Sequence, residues 1–203
     1  MTPNTYVTSR CCILTSFILV LTGSPAINKV AHAHGPSANS SAVFHAKDEA
    51  LQLAFDAADR IEERTVILTD EQKIAVEKLA RAPVETQLWT LYLGWRGTEC
   101  LGFAVIDTHP VRAAPATVMV VLSPSGAVVR VELLAFYDAA NLLPPKEWSR
   151  QFEGRKIGDD LEVGSGIRGI AGSAAGANAV ASSVRRVLAL HNVLQTQESL
   201  PRG

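Results

Sequence analysis

The sequence predicts an α+β domain: an antiparallel meander sheet flanked by helices, with a Gly/Ala-rich loop leading into a C-terminal helix. Three observations predict it. Successive runs rich in β-branched and aromatic residues between positions 88 and 136 are separated by short turns. Helical periodicity appears only before and after those runs. Between them no connection reaches the dozen or so residues that a crossover to a parallel neighbour requires, so about every pairing must be antiparallel.

Composition sets the frame for these elements. A chain of 203 residues with 47% hydrophobic and 19% charged side chains has the balance of one main globular domain with a sizeable core. Its 19 basic and 20 acidic residues leave a formal charge of −1, which argues against a nucleic-acid partner, because phosphate binding needs clustered Lys and Arg.

The N-terminus reads as a targeting segment. The apolar stretch from Cys11 to Leu21 follows Arg10 and is shorter than the roughly 20 residues of a membrane span. It precedes two small-x-small sites, Ser24-Pro25-Ala26 and Ala31-His32-Ala33, so residues 1–33 are expected to be a signal peptide cut after Ala26 or Ala33. An uncleaved N-terminal anchor is the alternative. Either places the domain outside the cytoplasm, in the periplasm or on the outer face of the cytoplasmic membrane. Cleavage leaves Cys100 as the single cysteine, expected as a structural thiol in a strand rather than a nucleophile. Residues 34–45 read as a flexible leader, where His32 and His34 nearby lack a third ligand for a metal. Residues 197–203 read as a disordered tail.

Within the domain, expected over 46–196, Ala50, Leu51, Leu53, Ala54 and Phe55 suggest a short helix from Ala46 to Phe55, with an extended piece following at Arg64 to Leu68. Thr69 with Gln72 three residues on forms a capping box, and Ile74, Val76, Leu79 and Ala80 give the helix behind it an apolar face that stops before Pro83. Strands are expected at Leu88 to Trp95, Leu101 to Asp107, Ala116 to Leu122 and Ala127 to Phe136, with Arg96-Gly97 and Ser123-Pro124-Ser125-Gly126 as turns. Pro144-Pro145 opens a short helix at Lys146 to Phe152, in which Trp148 and Phe152 form a packing pair.

Gly164, Gly166, Gly169, Gly172 and Gly176 then punctuate a run of small residues before a helix from about Ala177 to Leu194. Val180, Val184, Val187, Leu188, His191 and Leu194 share its apolar face, with Arg185 and Arg186 expected to point away. Such a junction offers free backbone N–H groups and a helix dipole to an anion, with a ligand phosphate as the natural occupant. Close helix packing is the structural alternative.

Other motifs weigh less. Gly164-x-Gly166-x-x-Gly169 matches the dinucleotide fingerprint, but too little chain follows for a βαβ unit. A Walker A loop would need Gly-Lys-Ser/Thr, which is absent. A serine hydrolase would combine Ser173 with His109 or His191 and Asp107, yet Ala171-Gly172-Ser173-Ala174-Ala175 is a loose nucleophile elbow in an antiparallel setting. His191 reads as a core histidine. His109, close to Asp107 and Arg112 at a strand end, is the better polar candidate.

From about His45 to Leu194 the chain resembles the FMN-binding domain family, which includes the flavin-carrying subunits of the Rnf and Nqr redox complexes and small exported relatives. The blocks that carry the resemblance are Glu49-Ala50-Leu51-Gln52-Leu53-Ala54-Phe55, Leu68-Thr69-Asp70-Glu71-Gln72, Gly102-Phe103-Ala104-Val105-Ile106-Asp107-Thr108-His109, Val131-Glu132-Leu133-Leu134-Ala135-Phe136, Trp148-Ser149-Arg150-Gln151-Phe152-Glu153-Gly154 and Val184-Arg185-Arg186-Val187-Leu188-Ala189-Leu190. The resemblance implies an α+β fold and a flavin relay near a membrane, with a membrane or periplasmic redox protein as partner. The family's motif, Asp-x-x-Ser/Thr-Gly-Ala-Thr, esterifies the FMN phosphate on its Thr. Here the matching positions read Arg168-Gly169-Ile170-Ala171-Gly172-Ser173-Ala174, and Ala174 has no hydroxyl. Ser173 is one residue early, which turns its oxygen about 100° away in a helix. The resemblance therefore implies non-covalent FMN, with contacts drawn from Arg168, Ile170, Ala171, Gly172, Ser173, Ala174, Gly176, His109 and Arg112, in an electron carrier more than a turnover enzyme. A cofactor-free scaffold or binding module for an envelope redox complex is the alternative.

Overall fold

The computed structural model describes residues 42–112, 114–196 and 200. The signal peptide, most of the leader and all of the expected tail but Leu200 lie outside these residues; Leu200, expected in a disordered tail, is 5% exposed and belongs to the main core. The fold is α+β, as the sequence predicts. In chain order its elements are β1 (Ala42–Val43), α1 (Lys47–Ala54), β2 (Arg60–Ile67), α2 (Asp70–Ala80), β3 (Leu88–Arg96), β4 (Glu99–Pro110), β5 (Pro115–Leu122), β6 (Val128–Phe136), two 3-10 segments (Ala140–Leu142 and Lys146–Phe152) and α3 (Ala174–Thr196). Five long strands and the two-residue β1 form one antiparallel sheet in the order β1-β6-β5-β4-β3-β2.

The expected leader ends sooner than its composition suggests. Ala42 and Val43 pair with Phe136 and Ala135, and the Phe44 N–H donates to the Leu134 carbonyl at 2.8 Å, so backbone hydrogen bonding along the open side of β6 orders these residues. The extended piece expected at Arg64 to Leu68 is longer, pairing from Arg60↔Trp95 to Ile67↔Leu88. Its side chains alternate in exposure, as an edge strand requires. The α2 capping box is present. Thr69 Oγ1 accepts from the Gln72 N–H at 3.2 Å, while Gln72 Oε1 accepts from the Thr69 N–H at 2.7 Å.

Helices cover both faces of the sheet. On one, Ala50, Leu51 and Phe55 of α1 pack on Tyr92, Ala104, Met119, Val121 and Leu134. The Phe55 ring occupies the space that a side chain at Gly94 would fill. On the other, α2 and α3 bury Trp89, Leu91, Leu93, Phe103, Val105, Val118 and Val120. Trp148 and Phe152 meet edge-on at 5.4 Å between centroids, the packing pair that their spacing predicts. At the β5–β6 turn Gly126 has φ 76°, and a Cβ there would lie 2.8 Å from the His191 ring, so the turn and the helix meet only because residue 126 is glycine. Among the described residues no helix is long and apolar enough to cross a membrane.

Two expectations for α3 are corrected. The helix begins at Ala174, three residues before the expected start, because Ala and Ser residues after Gly172 continue the helix once its first turn packs on the 3-10 segments. Arg185 and Arg186 do not point away. Arg185 donates from Nε to the Ala80 carbonyl at 2.9 Å, bridging α3 to the end of α2, and Arg186 is only 6% exposed beneath α3. A helix packed on a sheet and on a second helix has little solvent face left, so its charged residues are drawn into interhelical and helix–sheet contacts.

Candidate functional site

A cleft of about 860 Å³ opens where β3 and β4 part. Pairing between these strands runs from Leu91↔Val105 to Arg96↔Glu99. Beyond it, Leu88, Trp89 and Thr90 pair with β2, while residues from Ile106 to Pro110 pair with β5. The two strand ends therefore diverge, and α3 closes one side of the gap through Ala175, Asn178, Ala179 and Ser182. Trp89, Tyr92, Ile106 and Leu134 supply apolar wall; Lys47, Arg112 and Arg186 are the cations that line it. The volume falls within the about 300–1,000 Å³ typical of small-molecule sites.

A buried polar cluster forms its floor. Asp107, on β4, accepts from both Arg186 Nε and one of its terminal nitrogens, and from Ser183 Oγ at 2.7 Å. His109, two residues along the same face of the strand, brings Nδ1 to 3.4 Å from Asp107 Oδ2 and 3.3 Å from Ser183 Oγ. Burial pushes the Asp107 carboxyl up, but hydrogen bonds from His109 and Ser183 and the Arg186 guanidinium outweigh it and hold the group at about 2. The carboxylate is thus ionised, and it neutralises Arg186.

This cluster is not a hydrolase triad. In a catalytic relay the serine and the carboxylate sit on opposite imidazole nitrogens. Here both face Nδ1, and Ser183 is fully buried. Ser173, the serine expected for such a role, donates instead to the carbonyls of Asn141 at 3.1 Å and Leu143 at 3.3 Å. His191 packs on Phe103, 5.2 Å between centroids, and burial pushes its pKa down, as suits a neutral core histidine. Burial pushes the Cys100 thiol up, which suppresses nucleophilicity.

Of the residues expected to contact a flavin, His109 and Arg112 line the cleft. Arg112 sits at φ 70°, a left-handed conformation that a non-glycine residue holds at some cost, and such strain collects at ligand clamps. Arg168, Ile170, Ala171, Gly172, Ser173, Ala174 and Gly176 do not line it. The Arg168 N–H donates to Gln151 Oε1 at 2.9 Å, and its carbonyl accepts from Trp148 Nε1 at 2.6 Å, which ties the loop to the second 3-10 segment. Ile170 is half-buried against the main core. Ala171, Gly172 and Ala174 are exposed. Gly176 lies against the Leu142 carbonyl and Pro144, leaving no room for a side chain. Arg168, Ser173 and Gly176 thus make the Gly/Ala run a close-packed junction, and α3 reaches the cleft through Ala175, Asn178, Ala179, Ser182 and Arg186.

Sequence reasoning missed Trp89, Tyr92 and Lys47 at the cleft and Arg186 and Ser183 beneath it. Three ring nitrogens on cleft-lining residues, His45 Nδ1, Trp89 Nε1 and His109 Nε2, are buried and have no hydrogen-bond partner among the described residues, although His45 Nδ1 stands 3.6 Å from Glu49 Oε1. A buried polar atom left unpaired costs about 1–3 kcal/mol; Trp95 Nε1 and Asp138 Oδ2, whose residues do not line the cleft, are in the same condition. These features define an α+β domain with a ligand-sized cleft between parted strands. No protein-family model matches the chain, and no curated protein sequence matches it.

Proposed function

We propose that the protein is an exported electron carrier that holds FMN non-covalently in the cleft between β3, β4 and α3. The observation that carries this reading is that Trp89 Nε1 and His109 Nε2, with His45 Nδ1, are buried ring nitrogens without a hydrogen-bond partner among the described residues, in a cleft of cofactor size walled by aromatic and aliphatic side chains. On the α3 face of the sheet Trp89 offers a flat ring system dispersion contact, while Tyr92, Ile106 and Leu134 line the part of the cleft that opens on the α1 face. Arg112 at the rim meets the phosphate, and its guanidinium fork suits a dianion. Arg186 is withheld from that task by Asp107. The cluster of Asp107, Ser183 and Arg186 positions His109 through its Nδ1 side. When bound, FMN supplies one- and two-electron chemistry, and the chain tunes it through burial and hydrogen bonds. The redox partner is a membrane or periplasmic protein.

The test is an absorption spectrum of protein purified with FMN available, taken before and after acid precipitation. Flavin that binds and then stays in the supernatant supports the reading. A chain that takes up no flavin overturns it, and flavin retained on the pellet overturns its non-covalent part. The close-packed use of the Gly/Ala run favours a second reading, a cofactor-free module for an envelope redox complex, which saturable FMN binding excludes.

A further inference from the structure

The cleft's polar contacts have a direction as well as a number. Trp89 and His109 lie on the same face of the sheet, the face that carries Leu91, Val105 and α3, on the two strand ends that part. An indole Nε1 can only donate. The tautomer of the neutral His109 imidazole is set by its other nitrogen. Nδ1 faces the Asp107 carboxylate, which accepts only, and the Ser183 hydroxyl, whose proton is committed to Asp107 at 2.7 Å. Nδ1 therefore carries the proton, and in the neutral ring Nε2 is a bare acceptor. Among the described residues one donor, Trp89 Nε1, and in the neutral ring one acceptor, His109 Nε2, thus stand without a hydrogen-bond partner on neighbouring strands.

We infer that the cleft selects its ligand by an imide edge, a ring N–H beside a ring carbonyl, with Trp89 Nε1 donating to the carbonyl and His109 Nε2 accepting from the N–H. This rests on the cleft being the ligand site and names what that site recognises. Trp89 is 6% exposed and both nitrogens are buried, so their contact with a ligand requires the groups over them to move. An isoalloxazine carries such an edge at N3, and so does a uracil ring. A plain carboxylate, which only accepts, offers no such pair.

The experiment titrates the protein with FMN, 3-methyl-FMN and uridine monophosphate by calorimetry. Methylation at N3 removes the N–H and leaves the ring system and phosphate intact. FMN is expected to bind about tenfold or more tighter than its 3-methyl derivative, the penalty of stranding a buried acceptor. In His109→Phe the affinity for FMN falls and the two flavins bind within about twofold of each other, because the group that read the N–H is gone. Equal affinity of the two flavins for the unaltered protein overturns the inference and leaves the FMN reading standing. Binding of uridine monophosphate without FMN supports imide recognition and overturns the flavin reading. Binding of neither overturns both.

Discussion

Arg186 of α3 reaches 79 residues back along the chain to Asp107 of β4, donating two hydrogen bonds to one carboxylate oxygen under the helix. The pair is buried on both sides, with side-chain exposures of 7% and 10%, and it pins the middle of α3 to the strand that forms the cleft wall. Replacing Asp107 by Ala strands a buried guanidinium. A loss of about 3–5 kcal/mol is expected in urea unfolding, while the double replacement of Asp107 by Leu and Arg186 by Met recovers much of it. A single-mutant loss under about 1 kcal/mol contradicts a buried pair and matches an exposed one.

The same carboxylate makes stability depend on pH. Its ordinary value is 3.8, and the folded value is about 2, so the unfolded chain takes up this proton first as pH falls. The stability tied to Asp107 is complete above 3.8, declines as pH falls between those values and is gone below about 2. The expected loss is about 2 kcal/mol, read from denaturation midpoints across that window. In Asp107→Asn the part of the slope due to this group disappears.

His191 works at a higher pH. Burial holds its folded pKa below the ordinary 6.5, so the unfolded chain binds the proton more readily. Stability therefore falls as pH drops below 6.5 and levels off once the folded imidazole protonates too. His191→Phe keeps a ring against Phe103 and Gly126 and is expected to flatten this part of the profile in thermal melts. An unchanged slope assigns it to another group.

Much of the fold can be read from the chain because its signals are local. The Thr69 and Gln72 cap, the turns at Arg96-Gly97 and Ser123 to Gly126, and the spacing of Trp148 and Phe152 each fix their own segment. What escapes such reading is long-range. Arg186 reads as a solvent residue until Asp107, far away in sequence, is known to lie beneath it. The cleft exists because β3–β4 pairing stops at Leu91 and Val105, and no residue type announces that stop. The Gly/Ala run invites a phosphate site, since small residues before a helix serve anion binding and close packing equally well. Ser173 and Gly176 settle their use here by filling it with the carbonyls of Asn141, Leu142 and Leu143.

Gly176→Ala puts a methyl group against the Leu142 carbonyl and 2.9 Å from Pro144 Cδ. Overpacking there is expected to cost about 1–3 kcal/mol in chemical denaturation. A neutral effect would mean that the 3-10 segment yields freely.

Arg168→Ala separates the loop from the cleft. Arg168 is exposed and lies outside the cleft lining, so FMN affinity is expected to stay within about twofold of the unaltered protein by fluorescence titration, less than one charge-assisted hydrogen bond would contribute. A drop of tenfold or more moves the phosphate back to the Gly/Ala loop.

The most direct test is calorimetric titration of FMN into the unaltered domain and into Asn178→Trp, which places a bulky ring on the exposed face of α3 that lines the cleft. The expected result is saturation at one flavin per chain in the first and its loss in the second, with circular dichroism unchanged. No saturation in the unaltered protein, or equal binding by both, contradicts a flavin seated between β3, β4 and α3.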